Sequence, residues 1–145
     1  TTALDVTIQA QILDLIRTQQ QKNNTSLLLI THDLGIVAEY CDAVAVIYAG
    51  EIVEYAEKAQ LFRHKKHPYT IGLFNSVPKM TGDETRLTPI PGLPPDPTAL
   101  PTGCKFSDRC PYATEKCKAA PIPMTEIAPG HFCRCCRVDE LEDVK

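Results

Sequence analysis

Two groups of side chains in this 145-residue chain have the types and spacing to do chemistry. The first is Thr31-His32-Asp33, a hydroxyl, an imidazole and a carboxylate directly after the apolar run Leu27-Leu28-Leu29-Ile30. In open α/β sheets, ligands sit beyond the carboxyl ends of the strands, where such a polar run would lie. The plainer reading is that Thr31 or Asp33 caps a helix starting near Leu34 and that His32 is a solvated loop residue. The second group is Cys104-x5-Cys110-x6-Cys117-x17-Cys135, with Cys133 and Cys136 beside its last member. Thiols at that density bind metal or pair as disulfides, depending on the redox compartment. Structural zinc usually takes thiols two to four residues apart, whereas iron–sulfur clusters tolerate wider spacing. Disulfides and idle thiols are the plain alternatives.

The elements that must position these groups can be read from the pattern around them. Leu27 to Ile30 has no polar alternation, so it reads as a strand covered on both faces, in the middle of a parallel sheet. Before it, Asp5 caps a helix running to about Lys22, with Ile8, Ile12, Leu15 and Ile16 as its buried stripe and Asn23-Asn24 as its stop. After it come a short helix over Leu34 to Tyr40, an apolar strand over Ala43 to Tyr48, and a turn at Ala49-Gly50. An alternating antiparallel edge strand follows over Glu51 to Tyr55, then a short helix over Glu57 to Phe62. This order is half of an α/β domain without its opening strands. Pro68 suits the first position of a helix through Ser76. Met80 to Pro101 reads as an extended, polyproline-like arm turning at Gly82 and Gly92.

Composition bounds the function. Fifteen basic and eighteen acidic residues leave a net charge of -3, which gives no electrostatic case for nucleic acid. No apolar run approaches the length of a membrane span, and no signal-peptide pattern opens the chain. Proline divides the sequence: none precedes Pro68, and the other eleven fall between Pro78 and Pro129. Six of the seven cysteines fall between Cys104 and Cys136. The expectation is regular α/β structure over 1–66, a loop-rich and mostly irregular module over 67–137 and an acidic tail over 138–145. The module has few large apolar residues, so it needs a source of stability other than a core. The first Met is Met80, and the chain is expected to be a piece of something longer.

These residues resemble a known family. Thr2-Ala3-Leu4-Asp5, a helix, Leu28-Leu29-Ile30-Thr31-His32-Asp33-Leu34 and Val46-Ile47-Tyr48-Ala49-Gly50-Glu51-Ile52-Val53-Glu54 look like the C-terminal half of an ABC-transporter ATPase, a P-loop NTPase domain. The first motif resembles the D-loop and the second the switch (H-loop) histidine. His67-Pro68-Tyr69-Thr70, Leu73, Ile90-Pro91-Gly92-Leu93-Pro94-Pro95, Gly103-Cys104-Lys105-Phe106, Arg109-Cys110-Pro111, Cys117 and Gly130-His131 resemble the C-terminal extension of the peptide/nickel-importer branch. The resemblance implies that His32 reaches the γ-phosphate of ATP-Mg and that Asp5 lies at the seam with a second ATPase subunit. It implies a peripheral place on the cytoplasmic face of the membrane, transmembrane permease subunits as partners, and uptake of oligopeptides or dipeptides driven by ATP. There is no Gly-x-x-x-x-Gly-Lys-Ser/Thr phosphate loop, no ABC signature and no Walker B Asp-Glu in the sequence. The chain by itself is therefore expected to be catalytically inactive. A reducing compartment favours metal over disulfides for the thiols, and similar extensions carry a [4Fe-4S] cluster, with zinc as the alternative. In the family the last cysteine lies five residues after the glycine of the Gly-His turn, which selects Cys135. Cys133 and Cys136 depart from that pattern. The competing class is a stand-alone metal- or Fe-S-binding interaction module. In either case unpaired strands predict self-association.

Overall fold

The computed structural model describes residues 6–77 and 89–141. They fall into two compact units that divide between Asp42 and Ala43. Asp5, the Gly82 turn and the start of the proline-rich arm lie outside the described residues.

The first unit is two helices and the segment between them. Helix α1 is Val6–Asn23 and helix α2 is Leu34–Tyr40. Asn24 ends α1 in the left-handed region at φ 49°, with Thr25 N–H returning to the Gln20 carbonyl. The buried residue of α1 is Leu13; Ile8 and Leu15, two of the expected stripe, are exposed. Asp33 caps α2: its Oδ1 accepts from the N–H groups of Gly35 at 2.8 Å and Ile36 at 3.2 Å. The expected central strand is corrected. Leu27 to Ile30 pairs with no strand among the described residues, and Leu28 is 86% and Ile30 89% exposed. An unbroken apolar run signals cover on both faces only where other elements supply that cover.

The second unit is organised on an antiparallel sheet of order β1-β2-β4-β3, not a parallel one. Strands β1 (Ala43–Tyr48) and β2 (Glu51–Glu57) form a hairpin closed by Ala49 and Gly50. Both turn residues have positive φ, 46° and 79°, the conformation that matches the twist of a two-residue hairpin. β2 was expected at the edge, but it is interior. Its far side pairs with β4 (His131–Cys133), Glu54 opposite Cys133 and Tyr55 opposite Phe132. Strand β3 (Thr125–Ala128) completes the sheet across the Pro129-Gly130 turn. The proline-rich half thus contributes strands and is more regular than its composition suggests.

Helix α3 (Lys58–His64) and helix α4 (Pro68–Asn75) follow the hairpin. Pro68 takes the first helical position, and the N-cap His67 accepts the Tyr69 N–H at Nδ1, 3.1 Å away. The core combines Val46, Tyr48 and Val53 from the hairpin, Leu61 from α3, and Phe106 from the extension. Phe106 meets the Tyr48 ring edge-on at 5.2 Å, and burying such a ring contributes roughly 2–3 kcal/mol. Arg109 pins the arm to this core, donating to the carbonyls of Pro91 and Ile90 and to the Tyr48 hydroxyl.

Candidate functional site

The thiols converge through three short pieces of backbone. Cys104 and Cys110 flank a 3-10 turn, η1 (Ser107–Arg109), in which Ser107 N–H bonds to the Cys104 carbonyl and Cys110 N–H to the Ser107 carbonyl. Both cysteines pack against the hydrophobic core. Cys117 lies in the first turn of α5 (Glu115–Ala119), its sulfur turned back to the cap residue Thr114, 3.5 Å from the N–H and 3.6 Å from the hydroxyl. Cys104 N–H bonds to the Cys117 carbonyl at 2.8 Å, which joins the two pieces. That approach requires glycine at 103, because a Cβ there would stand 2.2 Å from the same carbonyl oxygen. Arg134 anchors the third piece through its N–H to Val53 and its guanidinium to the Ile52 and Ile122 carbonyls. Cys135 and Cys136 follow at once, and Cys136 Sγ lies 3.5 Å from Cys117 Sγ.

All six thiols of this half, Cys133 included, feel at least one neighbouring sulfur. Burial pushes Cys104 and Cys110 up, opposed by N–H groups of Phe106 and Ser107 for the first and Tyr112 for the second. Burial pushes Cys135 up to about 12, against the Arg137 N–H. Charges on neighbouring sulfurs raise each of these three further, so the set resists ionising together. Cys117 runs the other way. Its burial is outweighed by donation from the Thr114 N–H, the Thr114 hydroxyl and the Cys136 thiol, and by the Arg137 charge. Cys136 is raised by burial and by its bond to Cys117. N–H donors face most of the sulfurs. Ser107 Oγ, buried within the same turn, has no hydrogen-bond partner among the described residues. No three His, Cys, Asp or Glu side chains among the described residues have the arrangement a single metal ion takes.

Beneath the thiols lies a buried polar network that the sequence did not reveal. The Glu54 carboxylate, fully buried in β2, accepts from the Lys66 N–H at 2.6 Å and the His67 N–H at 3.0 Å, and bonds to His131 Nε2 at 2.8 Å. Burial lowers His67 to about 4, against a hydrogen bond to the Arg134 carbonyl. Cys133, in register with Glu54, is fully buried, and its thiol is pushed far up by burial and then by that carboxylate. By alternation alone Glu54 would read as a solvent-facing strand position. Glu54 lies between two paired strands, opposite Val46 of β1 and Cys133 of β4. His32 is exposed just before α2, in the first unit, whereas the thiols belong to the second.

Residues 53–117, from mid-β2 to Cys117, match the family described as oligopeptide/dipeptide transporter, C-terminal region. The oligopeptide transport ATP-binding protein OppD of Haemophilus influenzae is 49% identical over 135 residues, 93% of this chain and 42% of that protein. OppD of Salmonella typhimurium is 46% identical over 142 residues, 97% of this chain and 42% of that protein. OppD of Mycobacterium bovis is 45% identical over 140 residues, 96% of this chain and 23% of that protein. The chain thus spans 42% or less of the length of these relatives. The oligopeptide/dipeptide transporter region ends at Cys117, so Cys133, Cys135 and Cys136 lie beyond the matched residues.

Proposed function

We propose that this chain is part of the ATP-binding subunit of an ABC importer that couples ATP hydrolysis to uptake of oligopeptides or dipeptides. The observation that carries this reading is identity of 45–49% to oligopeptide transport ATP-binding proteins over 93–97% of the chain. In this reading His32 contacts the terminal phosphate of ATP-Mg and orients the attacking water, and Asp5 couples this site to a second ATPase subunit. The subunit docks on transmembrane permease subunits at the cytoplasmic face; among the described residues no helix is long and apolar enough to cross a membrane. His32→Ala in the longer protein that contains these residues should lower ATP turnover by at least about a hundredfold while nucleotide affinity changes less than about threefold. Equal losses in both would make His32 structural. The chain alone, without a phosphate loop, should show no micromolar ATP binding by calorimetry.

The thiols in this reading hold a [4Fe-4S] cluster, with zinc as the alternative, through Cys104, Cys110, Cys117 and Cys135. Such a group, when bound, cross-links four points of the chain and serves as a structural staple. The chain's own part is to bring the turn, α5 and the end of β4 together and to aim N–H donors at the sulfurs. The observation supporting it is that Cys104, Cys110 and Cys135 each feel the charge of other sulfurs in the set. Protein purified without oxygen should be brown, and serine at any of the four positions should bleach it. Serine at Cys133 or Cys136 should leave the colour. Colourless protein with one equivalent of zinc selects the alternative. Metal-free protein that stays folded with all four thiols replaced overturns both.

A further inference from the structure

Beside the four thiols proposed as ligands, Cys136 lies in contact with one of them, Cys117. Cys136 is the exposed member of the set, while Cys117 is 7% exposed and sits on α5. Their sulfurs are in contact, 3.5 Å apart. Each belongs to a separately anchored piece of chain. Cys117 is held by its Thr114 contacts, and Cys136 by Arg134 before it and by Arg137 after it, whose guanidinium bonds to the Tyr112 carbonyl and to Glu140. A disulfide between them shortens the 3.5 Å sulfur separation to about 2.05 Å. An oxidant arriving from solvent meets Cys136 first, with Cys117 behind it.

We propose that Cys136 and Cys117 form a reversible disulfide, a peroxide-sensitive modification site that closes when the thiols are free of metal. The Cys136 thiolate attacks one oxygen of hydrogen peroxide, the O–O bond breaks and hydroxide leaves, so that Cys136 becomes a sulfenic acid. The Cys117 thiolate then attacks that sulfur, the S–O bond breaks and a second hydroxide leaves. With the two thiol protons the net products are one disulfide and two waters; the two sulfurs are oxidised and the peroxide reduced. The bond ties α5 to the segment after β4, the same two pieces a metal group would bridge. It also removes Cys117 from the ligand set, so oxidation and metal loading exclude each other. The disulfide stands on the geometry of the free thiols and does not rest on the metal reading.

The test treats the full 145-residue chain, reduced and stripped by chelator without oxygen, with one equivalent of hydrogen peroxide. Remaining thiols are alkylated and the cross-links mapped by mass spectrometry. The expected result is a Cys117 cross-link in the wild-type chain and in Cys135→Ser, lost in Cys136→Ser and reversed by dithiothreitol. Because Cys135 and Cys136 are adjacent, the two single variants assign the partner. A cross-link that survives in Cys136→Ser, or peroxide that carries Cys136 to a sulfinic acid without any cross-link, overturns the proposal. Circular dichroism of both variants checks that each is folded, and Cys136→Ala supplies a second version if serine disturbs the rim. Zinc content, measured separately on Cys136→Ser, reports on the metal reading and leaves the cross-link map to decide this one.

Discussion

The two units of the chain solve the burial of backbone and apolar surface in opposite ways. In residues 6–42 the apolar groups outnumber the cover available: Leu28, Ile30 and Leu15 are exposed, and the Leu27–Ile30 backbone pairs with no described strand. Among the described residues of 43–141, buried polar groups find partners: Glu54 accepts from the His67 N–H and bonds to His131. The first unit has pattern without partners, and the second has partners that its pattern hardly advertises. Stability should therefore reside in the second unit, and association in the first.

The largest effect expected is in amide exchange. The amides of Leu27 to Ile30 should exchange at least about a thousandfold faster than those of β2, since only β2 is paired on both sides. Protection of Leu27–Ile30 that appears only as concentration rises would show the run finding a strand partner in another copy. Equal protection at every dilution would break the comparison.

Mutation sharpens it. Glu54→Ala strands the His131 ring and two buried N–H groups, and should cost about 3–5 kcal/mol by denaturant titration. Asp14→Ala, which removes only the exposed 3.0 Å bond to the Tyr40 hydroxyl, should cost less than about 0.5 kcal/mol. Comparable losses would mean that the first unit carries more of the stability than its exposure suggests.

A smaller effect separates the units by pH. His67 binds its proton at about 4 in the fold against 6.5 in the unfolded chain, so the unfolded state holds more protons between those values. Stability is full above pH 6.5 and is lost as pH falls toward 4, by roughly 3 kcal/mol in all. His67→Asn, which can still cap α4, should flatten that limb in thermal melts between pH 6.5 and 4. An unchanged slope would assign the acid sensitivity elsewhere. Last, Gly103→Ala must push the Cys117 carbonyl away and should cost about 2 kcal/mol, with a matching loss of the Cys104 amide's protection.

Much of the local structure was legible in the residues themselves. Asp33 as a cap, α2 over Leu34–Tyr40, β1 over Ala43–Tyr48, the Ala49-Gly50 turn and Pro68 at the start of α4 all depend on interactions within a few residues, which the sequence states directly. The thiol spacing singled out Cys104, Cys110, Cys117 and Cys135 as candidates. What only the tertiary structure decided depends on residues far apart in the chain. β4 pairs with β2 across nearly eighty residues and makes an expected edge strand interior. That pairing brings Glu54 to His131, and the segment after β4 places Cys136 within 3.5 Å of Cys117. Alternation fixes which residues share a face of a strand, but which face is wet depends on what lies alongside. For this chain that neighbour is its own proline-rich half, whose short strands have too few residues to announce themselves.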